Sequence, residues 1–278
     1  MEFLEQHSIA WLIGLVAALM VTGLVAGLLA GLLGVGGGIV IVPVLYHLFT
    51  LLGVDEAVKM HVAVGTSLAT IIPTSIISAR AHAAKGSLDR ELLRALGPAL
   101  LVGVLIGTWL SGYLRGTTLT AIFAVIALLV AANMAFRRNG LTLADQLPVR
   151  PVRDLIGAFI GGFSTLMGIG GGTLSVPILA AFNYPMHRAV GTASAIGLLI
   201  SVPGALGFLL HGMDTPGRPP LTLGYVNLIG FALIVPMTMV MAPRGARLAH
   251  AINADRLRQA FALFLFLTSL RMLYGLLG

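Results

Sequence analysis

Two short glycine stretches carry the most suggestive chemistry in this 278-residue sequence. The first is Gly34-Val35-Gly36-Gly37-Gly38, followed by Ile39-Val40-Ile41-Val42-Pro43. The second is Gly168-Ile169-Gly170-Gly171-Gly172, followed by Thr173-Leu174-Ser175-Val176-Pro177. A run of three glycines in apolar sequence breaks a helix, because glycine takes other dihedrals without steric cost. The N–H groups released there need partners or a polar cavity to line. The helix that resumes presents its N-terminus at the break, and Pro43 and Pro177 are expected in its first turn, where no N–H is required. Free N–H groups and the positive end of a helix dipole together attract anions. The backbones of Gly36, Gly37, Gly38 and Ile39, and of Gly170, Gly171, Gly172 and Thr173, are therefore candidate ligands for an anion. The competing explanation is close helix packing or a simple kink. The pattern is not a dinucleotide fingerprint, since no strand precedes it and the spacing differs.

A second pair of motifs adds hydroxyls. Val64-Gly65-Thr66-Ser67 and Val190-Gly191-Thr192-Ala193 follow the two glycine stretches in the same order, and each is followed by a proline, Pro73 or Pro203. Thr66, Thr70, Thr74 and Ser78 recur at i+4 and so share one helix face, flanked by Ser67 and Ser75. Thr192, Ser194 and Ser201 are sparser counterparts in the second half. Such hydroxyls either donate to an oxyanion or bond neighbouring helices. Thr66, Ser67, Thr192 and Ser194 join the candidate binding residues.

Other chemistries are poorly provided for. The ten carboxylates fall in the N-terminal tail or between apolar segments, so a carboxylate-based cation or proton pathway lacks its usual residues. The seven histidines show no paired ligand spacing, which argues against a metal site. There are no cysteines, hence no disulfide, thiolate ligand or thiol nucleophile. No Gly-Lys-Ser/Thr phosphate loop occurs, so no ATP use is expected of this chain. No cofactor and no enzymatic activity are expected.

Hydrophobic residues make up 58% of the chain and charged ones 10%, with a mean hydropathy of +0.99. A soluble domain carries about 25% charged residues, so this composition indicates a polytopic membrane protein in contact with the lipid bilayer. The formal charge of +7 is explained by basic loops beside membrane spans rather than by nucleic-acid binding. Trp11, Trp109, Tyr46 and Tyr113 are expected as interface anchors. The N-terminal MEFLEQHS has no basic residue, and the apolar run after it is read as a retained span rather than a cleaved signal.

Eight hydrophobic segments are long enough, or nearly so, to cross a bilayer: 9–52, 61–81, 92–114, 117–136, 152–182, 189–211, 223–243 and 259–277. The first and fifth exceed one crossing, and each contains one of the glycine breaks. The expected fold is an all-α polytopic membrane protein made of two repeats, 1–136 and 152–278, joined by a cytoplasmic linker at 137–151.

Loop charge indicates that the repeats are inverted. Residues 80–94 hold Arg80, Lys85, Arg90 and Arg94, and the next loop only Arg115. In the second half the first loop holds only Arg218, and the next holds Arg244, Arg247, Arg256 and Arg258. If basic loops mark the cytoplasmic side, the halves point opposite ways. Inversion requires an odd number of segments per half, which results if each glycine break splits one long stretch in two. The piece after the first break is short enough to be a half-membrane helix.

The stretches GLLGVGGGIVIVPVL (31–45), AVGTSLATIIPTSIISARAH (63–82), LMGIGGGTLSVPIL (166–179) and VGTASAIGLLISVPGAL (190–206) resemble the sulfite exporter TauE/SafE family of membrane permeases. The resemblance covers essentially the whole chain. It implies a multi-pass transporter of a bacterial cytoplasmic (inner) membrane that moves sulfite, an organosulfonate or a related small oxyanion. The sequence departs from internal symmetry at Thr173 and Ser175, which stand opposite Ile39 and Ile41. The expectation is alternating access around an anion held between the two breaks. An anion channel and a non-transporting membrane subunit are the alternatives. Small-residue faces are also compatible with a homo-oligomer.

Overall fold

The computed structural model describes residues 9–34, 36–136, 144–248 and 254–277, with side-chain surroundings for all of these except Leu33, Phe136, 254–258, 260, 261 and Leu277. Expectations that fall on the N-terminal tail, on Arg137 and Arg138 of the linker, and on the side chains of Arg256 and Arg258 lie outside the described residues. The described chain is almost entirely helical. In order, the helices are α1 (Ile9–Leu33), α2 (Gly38–Leu51), α3 (Glu56–Ala84), α4 (Arg90–Ser111) and α5 (Gly116–Phe136), then α6 (Val152–Met167), α7 (Gly172–Ala181), α8 (Met186–His211), α9 (Leu228–Leu248) and α10 (Ala254–Leu277). A hairpin of β1 (Thr222–Leu223) and β2 (Val226–Asn227) precedes α9, where the apolar pattern alone predicts helix from 223.

The breaks fall where the glycines are. Gly34, Gly36 and Gly37 have φ of 65°, 74° and 78°, and Gly168 has 65°. An L side chain in this left-handed region costs roughly 1–2 kcal/mol. Six helices (α1, α3, α4, α5, α8 and α9) are long and apolar enough to cross a bilayer. The 14 residues of α2 span about 21 Å and the 10 of α7 about 15 Å, so both are half-membrane helices. Pro43 and Pro177 are the sixth residues of these helices, not first-turn residues as expected. Each removes a helical hydrogen bond one turn further in and frees the carbonyl of Ile39 or Thr173.

The two sets of five helices interlock. α1 lies along α9 and α4 along α6, while α3 packs on α8 and α5 on α10. Glycines set the closeness and reveal the direction. A Cβ on Gly23, Gly27 or Gly31 would strike Ile234, Thr238 or Ala242, so α1 and α9 run in the same sense. Gly103 against Ala158 and Gly107 against Gly162 give the same for α4 and α6. Between α3 and α8 the order reverses. Leu68 meets Gly204, Ser75 meets Gly197, and Ser78 Oγ lies 3.1 Å from Ser194 Oγ. The helices that carry the Gly-Thr motifs are thus antiparallel, as inverted halves require.

Basic segments converge on one end of the bundle. Lys85 Nζ donates to Ala246 O at 2.9 Å, joining the loop before α4 to the end of α9. Arg188 Nη2 donates to Asp89 Oδ2 at 2.8 Å, bringing the start of α8 to the same place. At the other end Gly116 abuts Glu56, Gly217 lies beside Asp55, and Gly112 meets His211.

Candidate functional site

The two glycine breaks meet. A Cβ on Gly36 would lie 3.0 Å from Gly170 Cα and 3.4 Å from Ile71 Cγ2. Gly36 and Gly170 hold the same place in their motifs, so the contact sits on the pseudo-two-fold axis. Gly38 is pressed harder still, with its Cβ position 2.4 Å from Gly168 O. Among the described residues, no carbonyl accepts from the N–H groups of Gly170, Gly171 or Gly172. Ile39, the second residue of α2, is fully buried, and Thr173 N donates back to Gly170 O at 3.3 Å.

The Val-Gly-Thr segments lock the halves together reciprocally. Gly34 would strike Val190 O at 2.5 Å, and Gly168 would strike Val64 Cα at 2.8 Å. A Cβ on Gly65 would lie 2.5 Å from Tyr225 O, and one on Gly191 would lie 2.4 Å from Ser87 O. Thr66 Oγ1 accepts from Asn227 N at 2.8 Å, and Thr192 Oγ1 accepts from Asp89 N at 2.9 Å. Asn227 and Asp89 in turn cap α9 and α4 through their side chains, Asn227 Oδ1 accepting from Gly230 N and Asp89 Oδ1 from Glu91 N and Leu92 N. Each half therefore seats the start of a long helix of the other half. Ser67 Oγ also crosses between halves, donating to Gly168 O at 2.6 Å.

Of the sequence candidates, the structure brings Gly36, Gly38, Ser67 and Gly170 to the meeting of the breaks. Gly171 packs against Ile196 and Ile200 of α8, and Gly37 against Ala26 of α1. Gly172 and Thr173 form the buried start of α7. Thr66 and Thr192 are engaged at the two interlocks, and Ser194 pairs with Ser78.

Seven buried hydroxyls, Ser75, Thr108, Ser164, Thr173, Ser175, Ser201 and Ser269, have no hydrogen-bond partner among the described residues, and of these Ser75, Thr173, Ser175 and Ser201 lie on α3, α7 and α8. Ser75 Oγ faces Gly197, which borders Gly170, and Ser201 lies one turn further along α8. An unpaired buried hydroxyl costs about 1–3 kcal/mol. On the sequence alone Ser75 flanks the stripe and Ser201 is one of its sparser counterparts in the second half.

The two halves line the centre differently. Along α3 the stripe Thr66, Thr70, Thr74, Ser78 and His82 is buried and hydrogen-bonded, with Thr74 Oγ1 donating to Thr238 Oγ1 at 2.8 Å. The equivalent face of α8 carries Thr192, Ile196, Ile200, Gly204 and Phe208. The stretch toward the basic end is polar, and the stretch toward the other end is apolar.

Lys59 is a further buried group that the sequence pattern does not flag. It is 2% exposed, pairs with Glu56, and sits over the Tyr46 ring at 4.5 Å. Tyr46 is consequently buried, not an interface anchor, whereas Trp109 and Tyr113 are exposed as expected. Glu56 three residues before Lys59 was the signal available, since i,i+3 pairs of opposite charge attract.

At the basic end Asp89 gathers Tyr184 and Arg188. Burial pushes the Asp89 carboxyl up, but the Tyr184 hydroxyl, the Leu92 N–H, Arg188 and the Glu91 N–H together outweigh it and hold the group below the usual carboxylate range. Burial, donation to Asp89 and the Asp89 charge push the Tyr184 phenol up to about 12.

This combination of spanning helices, two half-membrane helices that meet, and reciprocal halves defines a multi-pass membrane protein. The family profile of the sulfite exporter TauE/SafE matches residues 19–272, and the chain belongs to that family. It is 33% identical over 241 residues to a "Probable membrane transporter protein" of Haemophilus influenzae, covering 86% of this chain and 90% of that one. It is 29% identical to "Probable membrane transporter protein MJ0441" of Methanocaldococcus jannaschii, covering 82% and 81% of the two chains. It is 27% identical to "Probable membrane transporter protein YunE" of Bacillus subtilis, covering 92% and 96%. No solved structure matches the chain significantly.

Proposed function

We propose that the protein is a secondary carrier of a small oxyanion, sulfite or an organosulfonate, across a bacterial cytoplasmic membrane. The repeats are 1–136 and 152–278, inverted about an axis in the membrane plane, with 137–151 as a cytoplasmic linker. The anion sits beside the contact of Gly36 with Gly170, on the side of Ser75. The N–H groups of Gly170–Gly172 and of the equivalent Gly36–Gly38 bind its oxygens, and Ser75, Ser201, Thr173 and Ser175 add hydroxyl donors. Rocking of one half against the other then exposes the axis to each side in turn. An anion leaving a cell with a negative interior gains about 2.3 kcal/mol per charge at 100 mV, enough to drive export without ATP.

The observation that carries this reading is the direct contact of equivalent glycines, Gly36 and Gly170, beside the unpartnered hydroxyl of Ser75. Purified protein in proteoliposomes should give saturable sulfite or sulfonate flux, accelerated by the same anion on the opposite side. Flux that neither saturates nor exchanges means a channel. Folded protein with no anion flux overturns the proposal.

A further inference from the structure

We propose that an open groove on the outer surface, between α4 and α6 at the basic end of the bundle, binds one anionic phospholipid. The proposal rests on the membrane assignment but not on the identity of the transported anion. The groove has a volume of about 400 Å³, in the range of pockets that hold a small-molecule ligand. Its walls are apolar, with Pro98 and Val102 from α4 and Leu155 and Ala158 from α6. Val102 and Leu155 are 53% and 68% exposed, side chains that an acyl chain would cover.

One end of the groove is polar. Arg150 and Asp154 line it, with Arg150 Nε 3.3 Å from Asp154 Oδ2 and Arg153 Nε 3.7 Å from Asp154 Oδ1. Two arginines thus share one carboxylate, leaving a net positive charge. Exposed Arg94 stands one turn before Pro98 on the same helix. Pro98 has no N–H, so the Arg94 carbonyl loses its helical partner and opens a polar spot in the wall. Arginine suits this position because its fork matches phosphate geometry. A free phosphate would leave the apolar wall uncovered, and a neutral lipid would leave the arginines unmatched. A phospholipid with a net negative headgroup satisfies both.

The test compares phosphatidylglycerol with phosphatidylcholine. The purified full chain is exchanged into each lipid, and the lipid retained is measured by native mass spectrometry. Wild type should retain one phosphatidylglycerol in clear preference to phosphatidylcholine. The double variant Arg94→Ala/Arg150→Ala should lose that preference, by roughly fivefold for each arginine removed near an anionic headgroup. Ala95→Phe, which fills the groove, should abolish retention of either lipid. Arg244→Ala, at an exposed arginine of α9 on the same end but outside the groove, should retain lipid as wild type does. Equal retention of the two lipids by wild type overturns the proposal. So does a preference that survives in both groove variants, or one lost as much in Arg244→Ala.

Discussion

At the residue scale, hydroxyls of one chemical type fall into two groups with opposite expected behaviour. Thr66 and Thr192 each satisfy a buried backbone N–H at the start of a helix in the other half. Thr66→Val or Thr192→Val should destabilise the protein by about 1–3 kcal/mol, read as a lower melting midpoint in detergent. Ser75 and Ser201 have no hydrogen-bond partner among the described residues. Ser75→Ala and Ser201→Ala should leave the midpoint unchanged or slightly raised, while weakening half-saturation for the transported anion by roughly tenfold, since hydrogen bonds to charged groups are worth about 1.5–3 kcal/mol. The same split separates the glycines. Gly191→Ala places a methyl against Ser87 O at 2.4 Å and should cost stability, whereas Gly14, with open space around it, should accept alanine freely.

Asp89 gives the pH dependence at this scale. Its folded pKa lies below the ordinary carboxylate value, so the unfolded chain binds the proton more readily. The stabilisation is therefore fully present above the unfolded value and is lost as pH falls through the folded one. Asp89→Asn should melt below wild type by a constant margin from pH 8 to pH 5. That margin should shrink only below about pH 4.

At the element scale, α3 and α8 are equivalent helices with unlike faces. The hydroxyl stripe of α3 was legible, because a period of four places Thr66, Thr70, Thr74 and Ser78 together on any helix. The breaks were legible too, since consecutive glycines in apolar sequence have few other uses. What the Gly-Thr pairs hold was not legible. Their partners Asp89 and Asn227 lie far along the chain, and hydrogen bonds at that separation leave no periodic trace. Lys59 shows the same limit, since its burial depends on Tyr46 from another helix. The hairpin at 222–227 was hidden because its short apolar strands read as the first turn of α9.

The unlike faces make a prediction for the cysteine-free chain. A cysteine at Ser78 should react readily with a small polar thiol reagent added from the basic side. A cysteine at Gly204, its apolar equivalent, should react slowly from either side. Equal rates would show that the difference in lining does not control water access.

At the scale of the whole molecule, sidedness follows from the convergence of basic segments through Lys85 and Ala246. Single cysteines at Arg94 and Arg244 should be labelled from one side of sealed vesicles, and those at Arg115 and Arg218 from the other. Two inverted halves predict this pairing. Two parallel halves would place Arg94 with Arg218.

The reciprocal seating of α4 and α9 also bears on how the chain is made. When the first half has left the ribosome, Thr66 has no N–H to accept, and the Asp89 N–H has no threonine. Both wait for residues 192 and 227. The first half is thus held in an unfinished state until nearly the whole chain is inserted. A stop codon or proteolytic cut after α5 should leave a fragment in which neither pairing forms, read as a lower folded yield than that of the full chain.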